Sequence, residues 1–218
     1  MIDAIFVPRG VEERAVRRGL GRRGAAIAVY PTGFGASSAR AAEAVLANGV
    51  RPEGAVIAGL CGSLDPAFAS GDVLLYASIA ASDGPTIETD RSLTMDLQRA
   101  VPGAQSGVRG LAVGRVVTRA SEKRELAASS GAQAIDMEAY ALAARLREAG
   151  VALAVLRCVS DGADADLPDL IGVFGAEGVN ARGFARSILS KPLAGMRLVV
   201  GGTRGVRSLR RAFRGLRP

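Results

Sequence analysis

Two short stretches hold residues able to do chemistry. Val151 to Asp161, VALAVLRCVSD, is an almost unbroken apolar run that ends in Ser160, Asp161 and Gly162. Ile135 to Tyr140, IDMEAY, puts Asp136 and Glu138 where a strand over Gln133 to Ile135 gives way to a helix. A Val/Leu run closed by a polar triplet is the pattern of a buried parallel strand delivering an acid to the C-terminal edge of its sheet, where open α/β sheets bind ligands. Two acids at two strand ends point to one site. The chain contains no histidine, which excludes Ser-His-Asp hydrolysis, Cys-His chemistry and the usual zinc ligand sets and leaves acid–base work to carboxylates. The competing readings are a cap or turn residue for Asp161 and a solvated first-turn acid for Glu138.

The elements that must position these acids alternate between strand and helix. Ile2 to Val7 reads as a first strand, and Val11 to Leu20 as a helix with Glu12 and Glu13 in its first turn. Ala25 to Tyr30 is a second strand, followed by the glycine-rich turn PTGFGASS and an Ala-rich helix from Ala39 to Asn48. A strand, a glycine turn and a helix N-terminus in that order suit an anion or a hydroxyl. Ala55 to Ala58 is a buried strand that runs into GLCGSLDP, where glycines either admit a ligand to the backbone or serve a bend. Strands over Val73 to Ala80 and Leu111 to Val117, helices over Leu93 to Ala100 and Glu122 to Ser130, and a surface excursion from Ser82 to Arg91 complete the approach to IDMEAY. A helix from about Met137 to Glu148 then leads into the Val151 strand. With 218 residues, 49% of them apolar and 4% aromatic, the chain is long enough for one α/β domain packed by Ala, Val and Leu.

Cys61 and Cys158 lack the spacing of a zinc site or redox pair and read as buried thiols. No basic leader or bilayer-length apolar run is present, so a cytoplasmic location is expected. The net charge is +7, and the seven arginines of Arg197 to Pro218, a segment without acids, account for all of it. Within this tail Val206, Leu209, Phe213 and Leu216 share one helical face, and Arg207, Arg210, Arg211, Arg214 and Arg217 occupy the rest. Such a helix either lies on an anionic membrane or docks on its own domain. The chain therefore divides into a catalytic domain, 1–196, and a basic amphipathic tail, 197–218, with nucleic acid the weakest partner for it.

The order of motifs resembles the nucleoside phosphorylase and methylthioadenosine/adenosylhomocysteine nucleosidase superfamily: an early Glu after the first strand, TGFG, GLCGSLDP, SGDV, AIDMEAY and LRCVSD. Glu122-Lys123, Gly131 to Ala134, Asp166-Leu167-Pro168 and Lys191-Pro192 are similar to the hopanoid-associated phosphorylase subgroup. The resemblance implies a single-domain, three-layer fold with a central mixed, partly barrel-like sheet flanked by helices. It also implies cleavage of an N-ribosidic bond that releases a purine, expected to be adenine, from an adenosyl compound such as adenosylhopane.

That reaction passes through an oxocarbenium-like ribose and expels a base, so it needs an acid at the base and a grip on the sugar. By resemblance Asp161 serves the purine N7 with Ser160 in support, Glu138 binds the ribose 2′ and 3′ hydroxyls, and Met137 packs on the sugar. Asp136 reads as a structural cap. An early glutamate would orient an attacking water; alignment favours Glu13, with Glu12 the alternative. Gly33, Gly59 and Gly62 are pocket-lining candidates. Phosphorolytic members hold phosphate with an Arg and a Ser where this chain has Ile57 and Leu60, so hydrolysis leads phosphorolysis, with Arg9 or Arg40 the substitutes that would reverse this. The loop Thr118 to Ser121 lacks the aromatic that smaller nucleosidases stack on the base. No cofactor or metal is implied, and inorganic phosphate would enter only as co-substrate. The expected partners are a small-molecule or lipid-linked nucleoside, a further copy of the chain in a homo-oligomer, and peripheral membrane contact through the tail. A non-catalytic nucleotide- or lipid-binding module on the same fold is the alternative.

Overall fold

The two long central strands are buried almost throughout, and their successive side chains enter two different cores, as period-two side chains in a doubly covered sheet must. The computed structural model describes residues 1–81, 84–170, 172–175 and 178–216. In chain order the elements are β1 (Ala4–Pro8), α1 (Val11–Leu20), β2 (Ala28–Thr32), α2 (Ala39–Ala47), β3 (Gly54–Ser63), β4 (Val73–Ala81) and β5 (Ile87–Glu88). There follow α3 (Arg91–Ala100), β6 (Gln105–Ala112), α4 (Ala120–Ser130), β7 (Ala134–Asp136), α5 (Ala139–Glu148) and β8 (Ala152–Asp161). The chain continues through a small hairpin of β9 (Phe174–Gly175) and β10 (Gly178–Val179) into α6 (Ala181–Ser190) and α7 (Pro192–Ala212).

In β3, Ala55 and Ile57 join a core with α2 and α5, whereas Val56 and Ala58 face α1, α3 and α7. Leu153 and Val155 of β8 take the first side, and Ala154, Leu156 and Cys158 the second. Pairing closes five strands into a ring: β3 with β7, β7 with β6, β6 with β4, β4 with β8, and β8 back to β3. β1 extends the sheet from β3, β2 from β1, and β5 from β4. Parallel and antiparallel pairs are mixed, and the architecture is the three-layer, partly barrel-like α/β domain that the motifs imply. Both cysteines are free and buried.

Several boundaries differ from the sequence expectation. β6 begins at Gln105 rather than Leu111, inside a polar, glycine-bearing run. A Cβ at Gly110 would lie 2.1 Å from the Tyr76 ring, and Gly107 has φ 79°, so the glycines that weaken the strand signal are what let β6 pass Tyr76. The excursion expected from Ser82 begins outside the described residues and later contributes β5 and the start of α3.

The largest difference concerns the C-terminus. α7 runs unbroken through the boundary drawn between residues 196 and 197, and Leu209, Phe213 and Leu216 are buried in the core shared with α1 and β8. Gly19 of α1 allows this approach, since a Cβ there would sit 2.5 Å from the Arg210 carbonyl and 2.9 Å from Phe213 Cβ. The apolar face that a membrane would have received is thus covered by the domain itself, with Arg207, Arg210, Arg211 and Arg214 outside; Arg217 lies outside the described residues. No described helix is long and apolar enough to cross a membrane. Phe213→Ala is expected to destabilise the whole domain by about 3–5 kcal/mol, because a buried aromatic leaves a cavity. Chemical denaturation checks this, and an unchanged midpoint would show that α7 is an appendage.

Candidate active site

The C-terminal ends of β1, β3 and β8 point the same way because these strands are parallel, and β7 meets β3 antiparallel at Gly62 and Ser63. The functional groups collect at this edge. Helix α1 starts directly after β1, with a stripe of buried residues at Ala15, Val16, Gly19 and Leu20 that Glu12 continues one turn earlier. Glu12 therefore points inward, 7% exposed, and its Oε1 accepts from the Leu60 amide at 2.7 Å. Glu13 points outward and pairs with Arg17 at 2.9 Å, one turn along the same helix. The geometry therefore selects Glu12, the alternative of the sequence pair, as the glutamate at the site.

Asp136 closes β7 and caps the turn into α5, with Oδ1 accepting from the Glu138 and Ala139 amides at 3.0 and 2.8 Å. Its other oxygen faces Arg157, whose Nε is 3.2 Å away. Glu138 is 5% exposed; its Oε2 lies 3.8 Å from Arg157 Nη1, and its Oε1 accepts from the Gly35 amide at 3.3 Å. Gly35, at φ 59°, opens a short 3-10 turn over Gly35–Ser38, and Ser38 Oγ donates to the Glu138 carbonyl. Of the TGFG loop it is thus Gly35, two residues beyond Gly33, that touches the acid. Met137 is half-buried nearby, its Cε 3.9 Å from where a Gly35 Cβ would stand.

Arg157 is the residue that sequence reasoning passed over. It lies in mid-β8, on the face of Val155 and Val159, fully buried. A guanidinium in an otherwise apolar strand demands buried acids, which was the available signal. Burial pushes its pKa down, but Asp136, Glu138, Tyr76 and Glu12 outweigh this and hold it above the ordinary arginine value. Its contacts with Asp136 and Glu138 are ion pairs by distance, yet Nε, Nη1 and Nη2 make no hydrogen bond of good geometry to the protein. Gly59 makes room for it: a Cβ at Gly59 would lie 2.2 Å from Nη1 and 3.4 Å from Glu12 Oε1. Burial, only partly offset by Leu60 and Arg157, raises the Glu12 pKa to about 7. Burial likewise raises Glu138, against the attraction of Arg157.

Asp161 forms the other end of the site. Its Oδ1 is 2.6 Å from Ser160 Oγ, which also reaches the Cys61 carbonyl at 3.0 Å. A bulge in the β3–β8 register after Cys61 sets Gly62 opposite Asp161. A Cβ at Gly62 would stand 2.9 Å from Asp161 Oδ2, so this glycine clears the carboxylate as Gly59 clears the guanidinium. Lys123 of α4, which the sequence marked only as part of the subgroup motif and not as a site residue, donates to Asp161 Oδ2 at 2.5 Å. Beside Asp161 opens a cavity of about 360 Å³ whose walls include Ser70, Leu167, Met196, Val200 and Arg204. The Glu12, Asp136 and Glu138 group lies outside that cavity wall and is joined to it through β3. Ile57 is buried in the core, and Arg9 and Arg40 are exposed. No group of three or more acids or cysteines among the described residues is placed to hold a metal ion.

The model of a family described as the phosphorylase superfamily matches residues 7–190. No curated protein matches the chain by sequence. Among solved structures, a mutant of the Helicobacter pylori nucleosidase MTAN with 5′-methylthioadenosine in its active site superposes with TM-score 0.74. It has 17% identity over 97% of this chain and 95% of that one. The futalosine hydrolase of Helicobacter pylori gives TM-score 0.73 at 16% identity over 99% and 96% of the two chains. A 5′-methylthioadenosine/S-adenosylhomocysteine nucleosidase from S. pneumoniae, solved with a transition-state inhibitor, gives 0.70 at 16% over 99% of each. At these identities the likeness is one of fold.

The raised Glu12 pKa carries a stability consequence with a definite sign. Between its model-peptide value of 4.5 and about 7, the folded state holds a proton that the unfolded chain has released. Stability therefore falls as pH rises through that window, by on the order of 3 kcal/mol from this group. Glu12→Gln should flatten the slope of unfolding free energy between pH about 5 and about 8 and stabilise the protein at the upper end. An unaltered slope would mean that Glu12 does not titrate in this range.

Proposed function

The chain belongs to the phosphorylase superfamily, and on that premise we propose that it cleaves the N-ribosidic bond of an adenosyl compound by attack of water on the anomeric carbon. The carrying observation is the spacing of the two ends of the site along β3. Gly59 clears Arg157 and Glu12, and Gly62 clears Asp161, so the ends stand three strand residues, about 10 Å, apart. A ribose with its base spans such a gap. Glu138 takes the ribose hydroxyls, Met137 the sugar's apolar face, and Asp161, oriented by Ser160, the purine N7.

Glu12, with a pKa near 7, is matched to removing a proton from water at neutral pH. The Leu60 amide fixes its carboxylate. Arg157 neutralises part of the charge that three acids would otherwise place around the sugar. Hydrolysis is preferred over phosphorolysis because Ile57 is in the core, Leu60 offers an amide already engaged by Glu12, and Arg9 and Arg40 are exposed. Among adenosyl compounds we favour adenosylhopane, on the subgroup resemblance around Lys123, Asp166 and Lys191. Self-association belongs to the same reading, and sedimentation velocity checks it.

Incubation with adenosine, 5′-methylthioadenosine and adenosylhopane, with and without phosphate, should release adenine at a rate that phosphate does not raise. Asp161→Asn should lower turnover by about 10²–10⁴-fold, the usual worth of a positioned acid, with an unchanged circular dichroism spectrum. Ribose 1-phosphate as the product would replace hydrolysis by phosphorolysis. No base release from any of the three would leave a binding module.

A further inference from the structure

Lys123 is 1% exposed, and its ammonium donates to Asp161 Oδ2 at 2.5 Å and to the Gly162 carbonyl at 2.7 Å. The helix that carries it is tied to the same loop at a second point, where the Ala120 amide donates to Asp166 Oδ1 at 2.8 Å. The Asp161 side chain is itself only 11% exposed. A carboxylate facing a buried ammonium and a serine hydroxyl is fully partnered as an anion. Such a group orients a purine well, but it carries no proton of its own to give.

We infer that Lys123 supplies the proton that Asp161 passes to the departing purine. This rests on the N-ribosyl reading above and assigns a further residue to its chemistry. As the C–N bond breaks, its electron pair goes to the base. One proton moves from Lys123 Nζ to Asp161 Oδ2 and on to N7, leaving a neutral amine, an unchanged carboxylate and a protonated base. The attacking water gives its proton to Glu12 as its oxygen bonds to the anomeric carbon, so charge balances across the site. Solvent returns the ammonium proton after product release. Lysine suits this role and arginine does not, because a guanidinium keeps its proton. The chain uses lysine at only two of its 28 basic positions, so a lysine sealed against the Asp161 carboxylate departs from its own habit. Lys123 acts through Asp161 and is a positioning residue in that sense.

The test compares two leaving groups in Lys123→Met and Lys123→Arg. Adenosine, 5′-methylthioadenosine and adenosylhopane need their base protonated; 4-nitrophenyl β-ribofuranoside releases an anion that is stable without a proton. Both variants are expected to lose about 100-fold or more in turnover of whichever purine substrate the unaltered protein cleaves, within the range for a positioned acid, while nitrophenyl release stays close to the unaltered rate. Equal losses on both substrate types would make Lys123 structural and overturn the inference. So would full purine turnover in Lys123→Arg, which keeps the charge but not a mobile proton. An unaltered protein that cleaves none of these ribosides removes the N-ribosyl reading and this inference together.

Discussion

The arrangement of the whole catalytic edge depends on one buried cation. Arg157 is taken out of water in the middle of β8, a transfer that costs several kcal/mol unless opposite charge is brought to it. The charge comes from three separate places: Glu12 at the start of α1, Asp136 at the end of β7 and Glu138 at the start of α5. Each lies at or just beyond a strand end, so meeting the needs of one guanidinium fixes three strand ends against one another. The structural and chemical roles of the cluster are therefore the same requirement. Removing Arg157 would leave three acids in mutual repulsion in a dry site.

One cation cannot neutralise three carboxylates, and the surplus is where reactivity arises. Asp136 sits nearest, at 3.2 Å, and its other oxygen is engaged by two amides at the head of α5. Glu12 and Glu138 receive less of the guanidinium's charge, and burial raises both. A carboxyl raised to about 7 is a poor ion partner but a useful base, since it accepts a proton from water near neutrality without holding it too tightly. The imbalance that weakens the cluster as a fold determinant is what the proposed role of Glu12 would use.

Much of this was legible in the chain, and the rest failed for identifiable reasons. The runs around β3 and β8 and the paired IDMEAY and RCVSD motifs gave the α/β class, the strand ends and the places of Asp161 and Glu138, because burial on both faces leaves an unambiguous apolar signal. The choice between Glu12 and Glu13 was open to a simple test of phase: Glu12 continues the stripe of Ala15, Val16, Gly19 and Leu20, and Glu13 sits four residues before Arg17. Arg157 was hidden because a strand is read as a run, and its single charge looked like noise until its partners were placed. Lys123 lies in a helix with almost no amphipathic contrast, so nothing local marks it as inward. The apolar face of the tail was legible and left two alternatives, membrane or own domain; the close approach at Gly19 of a distant helix is what shows the domain covering it.

The two ends of the site also differ in how they hold charge, and β3 keeps them apart. At one end acids outnumber the cation and a proton is readily accepted; at the other Asp161 is matched one to one by Lys123, with Ser160 completing its shell. Gly59 and Gly62 are the strand's only contribution of side-chain space to these ends, one vacated for a guanidinium and the other for a carboxylate. A side chain at either would push a charged group off its partners before it touched any ligand. The separation of the two charged ends thus follows from two missing Cβ atoms on one strand and from the register shift at Cys61 that aligns the second of them with Asp161. The proposed cleavage of a bond between a sugar and a base would use two such ends differently, since the incoming nucleophile must lose a proton where the departing base must gain one.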